Sequence, residues 1–280
     1  MVDIKEYTST GLGTEGSLLI EKKIYPELIK AVQKKLIGRQ YAALYIGPDG
    51  IPGSSIDVNL ETADSINVVR VAEGASVPVQ VNGYTSFNLK PVKYGVRPFI
   101  TKEMAEDGKF PLLQFNVMRA GVELAENETS LIITQALDNA SNTVAGGTAV
   151  SIANVTRAMQ YLEDSDFHAT TLLVGPEVAN DLRNIDTFVE ADKLGSREAF
   201  ENGLVGKVYG MEVVEVSAAL ITSTSAYVFD KSQAFVIAEK RPITVESYDD
   251  KTRDLSGAVI TQRLVCRQLR AGSIAKITSS

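Results

Sequence analysis

The sequence predicts an α+β fold, and the order of its strand and helix patterns carries that prediction. Short β-prone pieces separated by turn residues fill positions 39–100, a long helical pattern follows, and after a mixed region β-prone segments close the chain. Strands and helices that occur in separate runs are typical of the α+β class. The 280 residues, 44% of them hydrophobic and 22% charged, suffice for one large domain or two smaller ones.

The first β-prone stretch predicts a long hairpin. GPDG at 47–50 and IPG at 51–53 are strong turn signals, and apolar residues alternate with polar ones from Ile56 to Leu60. The segment 47–88 holds too few apolar residues for burial on both sides, and a two-stranded hairpin is marginal by itself. We therefore expect a partner subunit to complete this part of the fold.

The longest helical pattern begins at Pro111 and runs to about Asn139, with apolar residues at steps of three or four. About 28 residues at a rise of 1.5 Å would form roughly 40 Å of helix. Thr101 is a candidate N-cap of a shorter helix before it. At the amino end, residues 1–20 predict an extended arm, and a helix is expected from about Pro26 until Gly38.

The rest of the chain predicts short alternating elements. Residues 139–149 are expected to form a flexible connection and residues 186–203 a polar loop. The predicted helices and strands are helices near 151–163 and 176–184, strands at 170–174, 226–229 and 234–238, a hairpin at 204–216, and two long closing strands at 242–248 and 257–278.

Little catalytic chemistry is available to this sequence. Cys266 is the only cysteine and His168 the only histidine, which excludes an internal disulfide, a thiolate metal cluster and a multi-histidine metal site. A serine or cysteine triad would have to use His168, which we expect to lie exposed in a loop. We expect Cys266 to be a small buried residue, and we predict no cofactor.

Charged residues are interpreted mainly as surface groups. The net charge of −7 argues against a dedicated nucleic-acid binder. The acidic turn at 249–254 lacks the spacing of a calcium loop, and Glu128, with its neighbours, is expected in solvent or intersubunit salt bridges. Arg263 and Arg267 alternate with Val265 on a presumed strand, so both are candidates for pairing across an interface.

The order of these parts resembles the major capsid proteins of tailed phages with the Hong Kong 97-like fold. The segments that carry the resemblance are the Gly/Ser-rich amino-terminal arm, VAEGASVPV at 71–79, FNLKPVKYGVRPFITKEMAED at 87–107, LAENETSLIITQALDN at 124–139, TTLLVGPEVANDLRN at 170–184, GLVGKVYGMEVVEVS at 203–217 and the closing strands at 241–274.

The resemblance implies a division of the chain and a role for each part. It implies an N-terminal arm and helix at 1–38, an E-loop hairpin at 46–88, a peripheral (P) domain at 89–142 and 235–280, and an axial (A) domain at 143–234. The long helix becomes the spine helix of the P domain, and the A domain lies at the centre of each pentamer or hexamer. In that family the arm and the E-loop reach over neighbouring subunits.

The implied function is that of a major capsid protein with no enzymatic activity. Copies would assemble with one another into pentamers and hexamers of an icosahedral shell around non-specifically bound double-stranded DNA. The protein would belong to the virion after assembly in the host cytoplasm, with scaffolding, portal and decoration proteins as further partners and no membrane. The candidate intersubunit contacts are Asp49, Ile51, Ile56, Glu73, Arg97, Arg241, Arg263 and Arg267.

Two alternatives remain open at this point. An encapsulin-type compartment would share the fold but enclose protein cargo, and its usual amino-terminal cargo-binding helix does not match the pattern of residues 1–20. A soluble enzyme would have to use His168 or an acidic pair, and it would form a monomer or a small oligomer rather than megadalton particles.

Overall fold

A computed structural model describes residues 38–61, 66–107, 112–184 and 207–279. The predicted arm at 1–20, the helix after Pro26 and the loop at 186–203 lie outside these residues. The described strands are β1 (Leu44–Ile46), β2 (Ile56–Glu61), β3 (Tyr84–Leu89), β4 (Val92–Val96), β5 (Phe99–Thr101), β6 (Asn142–Gly147), β7 (Thr171–Val174), β8 (Lys207–Val208), β9 (Met211–Glu215), β10 (Ser225–Phe229), β11 (Phe235–Asp250), β12 (Leu255–Gln268) and β13 (Ile274–Ser279).

The described α-helices are α1 (Lys102–Asp107), α2 (Leu112–Ile132), α3 (Ile152–Glu163) and α4 (Pro176–Arg183). Helix α2 continues into a π-helical turn, Ile133–Leu137, so the long helix predicted from Pro111 to Asn139 is confirmed. Thr101 accepts a hydrogen bond from the Met104 amide at 3.1 Å, as expected for the N-cap of α1.

A five-stranded sheet packs against the long helix. Its strand order is β1-β11-β12-β4, and β5 also pairs with β12. Alternate residues of β12, among them Ala258 and Ile260, face α2 and meet Val117, Ala120 and Leu124 in one buried cluster. The period of two on the strand and the period of about 3.6 on the helix thus place the apolar residues of both on one interface.

The second sheet has six strands, in the order β6-β13-β10-β7-β9-β8. Strands β7 and β10 are buried at every position, as expected for central strands covered on both faces. Helices α3 and α4 contribute Val155, Leu162 and Leu182 to the cluster on one face. At the start of α3, Ser151 and Asn154 form a reciprocal capping box.

Three sequence predictions about these elements are wrong. Residues 139–149 are no flexible connection, because β6 runs parallel to β13 and contributes the buried Val144. The predicted strands at 234–238 and 242–248 are one strand, β11. The predicted strand 257–278 ends at Gln268, where the turn Ala271–Ser273 redirects the chain so that β13 joins the other sheet.

The tight turn before β13 explains this change of sheet. The Ser273 hydroxyl donates to the Gln233 carbonyl at 3.1 Å and to the Arg270 carbonyl at 2.7 Å, which fixes the bend. A Cβ at Gly272 would lie only 2.8 Å from the Ser165 side chain, so a larger residue here would have to displace Ser165. Alternating burial is visible in the sequence of 257–278, but the identity of the partner strand is not.

Candidate subunit-interaction site

Strands β2 and β3 form an antiparallel hairpin whose base is anchored on the five-stranded sheet. Their register pairs Ile56 with Leu89 and Glu61 with Tyr84. At the base, Ile51 and Leu89 are buried against Val236 of β11. Towards Glu61 and Tyr84, the hairpin residues Leu60 and Thr85 line a cavity together with Gln135 and Cys266 instead of packing into this buried cluster.

Beyond the hairpin strands, residues 66–83, here called the valine loop, carry large apolar side chains into solvent. Val77, Val79 and Val81 are 76%, 92% and 82% exposed, and Val68 is fully exposed. The three are separated by Pro78 and Gln80, so an extended backbone would direct them to one side. An exposed apolar set of this kind marks an interaction surface.

The valine loop nevertheless has a defined course. The Asn67 amide donates to the Gln80 side chain at 2.6 Å, which ties the outgoing segment to the returning one. A turn closed by the Ala75 amide and the Ala72 carbonyl, with Gly74 at φ +79°, forms the tip. The ten residue steps from Gly74 to Tyr84 can span up to roughly 30 Å. The loop can therefore carry its valines well away from the subunit that bears it.

Burial of these side chains is energetically significant. Complete burial of one valine contributes about 1.5 kcal/mol, so the three alternating valines together would contribute on the order of 5 kcal/mol per subunit. A single copy leaves this free energy unused, because all three side chains face water. A surface supplied by another molecule is needed to recover it.

Two arginines secure the base of the hairpin. The Arg267 guanidinium lies 4.9 Å from the centre of the Phe87 ring and donates to the Asn88 carbonyl at 3.2 Å. Arg263 donates to the Pro91 carbonyl at 3.3 Å. Both side chains therefore bind the hairpin of their own subunit, a contact the sequence did not indicate.

A buried ionic network fixes the chain where it enters the described fold. Arg39, in the 3₁₀ turn Gly38–Tyr41, contacts Glu128 of α2 through Nε at 2.6 Å and Nη2 at 2.9 Å. It also contacts Glu239 of β11 through Nη2 at 2.9 Å and Nη1 at 3.2 Å. Gln262 donates to both glutamates, at 3.1 Å and 2.8 Å, and the Tyr45 hydroxyl donates to Glu239.

The electrostatics of this network follow from its burial. Glu128 and Glu239 are only 1% and 2% exposed. Burial alone would lower the pKa of Arg39, but its bonds and charge attraction to the two carboxylates raise that pKa overall. Burial and the bond to Glu239 raise the pKa of Tyr45 to about 12. The network thus joins the entering chain, the long helix and β11, because the positive charge of Arg39 compensates the two buried carboxylates.

The prediction for Glu128 is therefore wrong: it is paired inside the subunit and is not a surface or intersubunit group. Leu124, Glu128 and Ile132 are spaced four residues apart on α2 and are all buried. This spacing within an apolar stripe was the available signal that Glu128 faces the core. Nothing local in the sequence indicated that its partner would be Arg39.

The candidate contact residues fall into distinct environments. Ile51 is 1% exposed, because its side chain is buried in the hairpin base of its own subunit. Ile56 is half-buried beside it, whereas Asp49 and Glu73 are exposed. Arg97 is exposed and lies 4.7 Å from the Tyr248 ring centre. The structure brings Ile51 together with Ile56 and Arg241 together with Arg263, but it does not join all of the candidates into one site.

The residues with catalytic potential are placed as expected. His168 lies exposed in the loop after α3. Cys266 is buried, and that burial, together with the charge of Glu128, raises its pKa to about 12. Across the described part of the chain, no group of three or more His, Cys, Asp or Glu residues could hold a metal ion. The helices in those same residues include none that is both long and apolar enough to span a membrane.

The segment that runs from β3 into β12, and that includes the long helix, matches a known family. A family model described as phage capsid protein matches residues 84–265, which is more than half of the chain. The chain belongs to the phage capsid protein family. As a member of this family it is a structural component of a phage capsid.

Solved structures of phage origin share the fold of this capsid protein. One from Microbacterium phage Oxtober96 has a TM-score of 0.67 at 15% identity, with 86% of this chain and 90% of that chain covered. One from Mycobacterium phage Che8 has a TM-score of 0.68 at 16% identity, covering 80% and 84%. The capsid of a native GTA particle has a TM-score of 0.64 at 14% identity, covering 88% and 90%.

These similarities confirm the predicted Hong Kong 97-like α+β fold. The sequence identities are low, so they speak for the fold alone. Among curated proteins, none matches the sequence significantly. The capsid protein is a component of the virion.

Proposed function

We propose that this capsid protein forms pentamers and hexamers of a shell that encloses double-stranded DNA, and that the valine loop is its principal grip on neighbouring copies. The observation that carries the proposal is the set of exposed valines on an anchored hairpin. Burial of these valines on an adjacent copy would add to the free energy of assembly a hydrophobic contribution that the isolated subunit does not gain. Closed symmetric rings supply such a neighbour for every loop.

The division into parts follows the same reasoning. We propose an arm at 1–38, an E-loop at 46–88, a P domain built on the five-stranded sheet and α2, and an A domain built on the six-stranded sheet. Since β13 pairs within the six-stranded sheet, we assign residues 274–279 to the A domain and not to the P domain. The P domain then comprises residues 89–141 and 235–270.

The remaining roles are proposed on chemical grounds. The protein has no enzymatic role: its lone histidine is exposed and its thiol is buried and poorly ionised. Contact with DNA is non-specific and weak, as the net charge of −7 favours. Assembly takes place in the host cytoplasm, with scaffolding, portal and decoration proteins as partners and without a membrane.

The valine loop provides the test. The test variant combines Val77→Ser, Val79→Ser and Val81→Ser, which removes the apolar contact surface. Because all three positions face water in the single subunit, the fold of the subunit should not change. We expect a soluble, folded subunit that no longer forms closed shells by electron microscopy and light scattering. The matched control carries isoleucine at the same three positions, which keeps the apolar surface, and should still assemble.

Closed shells of normal size from the serine variant would contradict the role of the loop. Failure of the unaltered protein to form megadalton particles would contradict shell assembly itself. Nucleic-acid analysis of purified virions tests the contents, because protein cargo without a genome would contradict the proposal for DNA.

A further inference from the structure

We propose that three cations in one row across the five-stranded sheet, Lys93, Arg241 and Arg263, bind a carboxylate-rich patch of a second copy of this chain. The inference rests on the proposed assembly into rings and names the chemistry of one contact within it. The three residues are called the basic row.

The register of the strands brings the basic row together. Arg241 of β11 pairs with Arg263 of β12, and Arg263 pairs with Lys93 of β4. Residues directly opposite each other in an antiparallel sheet share a face, with Cβ atoms about 5 Å apart. Three positive charges therefore lie side by side on the face of the sheet that points away from α2.

A distortion of β11 is responsible for the position of Arg241. Glu239 pairs with Leu264, but Arg241 pairs with Arg263, so two residues of β11 oppose one of β12. Without this bulge Arg241 would share a face with Glu239 and point towards the buried network. Bulges commonly redirect a side chain at functional positions, and Pro242 directly after it suits such an irregularity.

The basic row lacks counter-charges among the residues that the structure describes. Arg241 donates to the Thr261 hydroxyl at 2.9 Å, but its Nε is buried without a hydrogen-bond acceptor. Arg263 donates to the Pro91 carbonyl. Considering the described residues alone, none of the three cations has a carboxylate within ion-pair distance. Like charges directly opposite destabilise a sheet, so an anion from outside is expected to compensate them.

A complementary patch exists elsewhere on the chain. At the end of the β11–β12 hairpin and on α1 lies a set of charged residues with more carboxylates than cations, here called the acidic tip. Its carboxylates are Glu103, Glu106, Asp249, Asp250 and Asp254, and its cations are Lys102, Lys251 and Arg253. Lys102 contacts Asp254 at 2.6 Å, and that bond, followed by the charges of Asp254, Asp249 and Glu106, raises the pKa of Lys102. Five carboxylates against three cations leave the acidic tip with an excess of two negative charges.

Distance prevents the two patches from pairing within one subunit. Arg263 and Leu255 are eight residues apart on β12, which corresponds to roughly 26 Å along a strand. Two different complementary patches on one chain produce a head-to-tail contact, and such contacts close into rings when the rotation allows. The charge complement, three cations in the basic row against an excess of negative charge on the acidic tip, favours a second copy over DNA phosphates as the partner.

Charge reversal tests the contact. Arg241→Glu with Arg263→Glu should prevent ring and shell formation, and Glu103→Lys with Glu106→Lys should do the same. Combining all four changes in one chain restores opposite charges across the contact and should recover at least half of the shell yield. Arg157→Glu, an exposed change on α3 of the same sign, serves as the control and should assemble normally.

The outcomes separate this inference from shell assembly in general. If the unaltered protein forms shells and both reversed variants also form them normally, the charge contact is refuted while the proposed function stands. If reversal blocks assembly but the fourfold variant does not recover it, the pairing of row with tip is refuted. Intact shells that lose only their DNA would assign the basic row to phosphates and overturn the proposal.

Discussion

Replacement of Arg39 by alanine tests the claim that a buried ionic network secures the entry of the chain into the fold. The change leaves Glu128 and Glu239 buried, 1% and 2% exposed, with only Gln262 and Tyr45 as partners. Removal of one partner from a buried ion pair costs about 3–5 kcal/mol. Because Arg39 itself is 28% exposed, we expect the lower end, about 3 kcal/mol.

The assay is urea unfolding of dissociated subunits, with circular dichroism as the measure of the folded fraction. With a denaturant slope of about 3 kcal/mol per molar urea, the midpoint should fall by roughly 1 M. The matched control is Arg119→Ala, which removes an exposed pair with Glu123 on α2, 65% and 47% accessible. That change should cost no more than about 0.5 kcal/mol. Equal midpoints for the two variants would refute the role assigned to the network.

Two further predictions concern titratable groups. Cys266 should resist thiol reagents at pH 8 and react fully after unfolding in urea, since burial raises the pKa of its thiol to about 12; rapid modification of the folded protein would contradict its placement. Burial acts to raise the pKa of Asp138, but its bonds to Lys276 and Tyr227 lower that pKa overall. Asp138 therefore stabilises the fold at pH values above its ordinary pKa of about 3.8. This stabilisation is lost as the pH falls through the lowered pKa. Asp138→Asn should therefore be clearly less stable than the parent at neutral pH and nearly equal to it in strong acid, as measured by urea midpoints, and a constant difference would contradict the assignment.

Local patterns in the sequence were sufficient for much of the fold. The helical period from Leu112 onwards and the alternation from Ile56 to Leu60 depend on neighbours only a few residues away, and both elements are confirmed. The exposure of His168 and the burial of Cys266 also follow from local context. Such features are encoded by spacing, which a single sequence displays directly.

Features that depend on distant partners could not be predicted in this way. The pairing of β6 with β13 joins residues more than a hundred positions apart, so the segment 139–149 resembled a loop. Ile51 follows a turn signal, and only the packing of the hairpin base on β11 shows that it is buried. The bulge in β11 places the Arg241 side chain on the opposite face of the sheet from Glu239. This too is a property of strand register, which the sequence of one strand does not specify.

The central claim is that the surface left exposed by one subunit is completed by its neighbours. A subunit-resolution electron microscopy reconstruction of particles assembled from the purified protein tests it most directly. The account predicts closed shells in which Val77, Val79 and Val81 are buried against an adjacent copy. Shells in which these side chains remain in solvent, or the absence of closed particles, would contradict it.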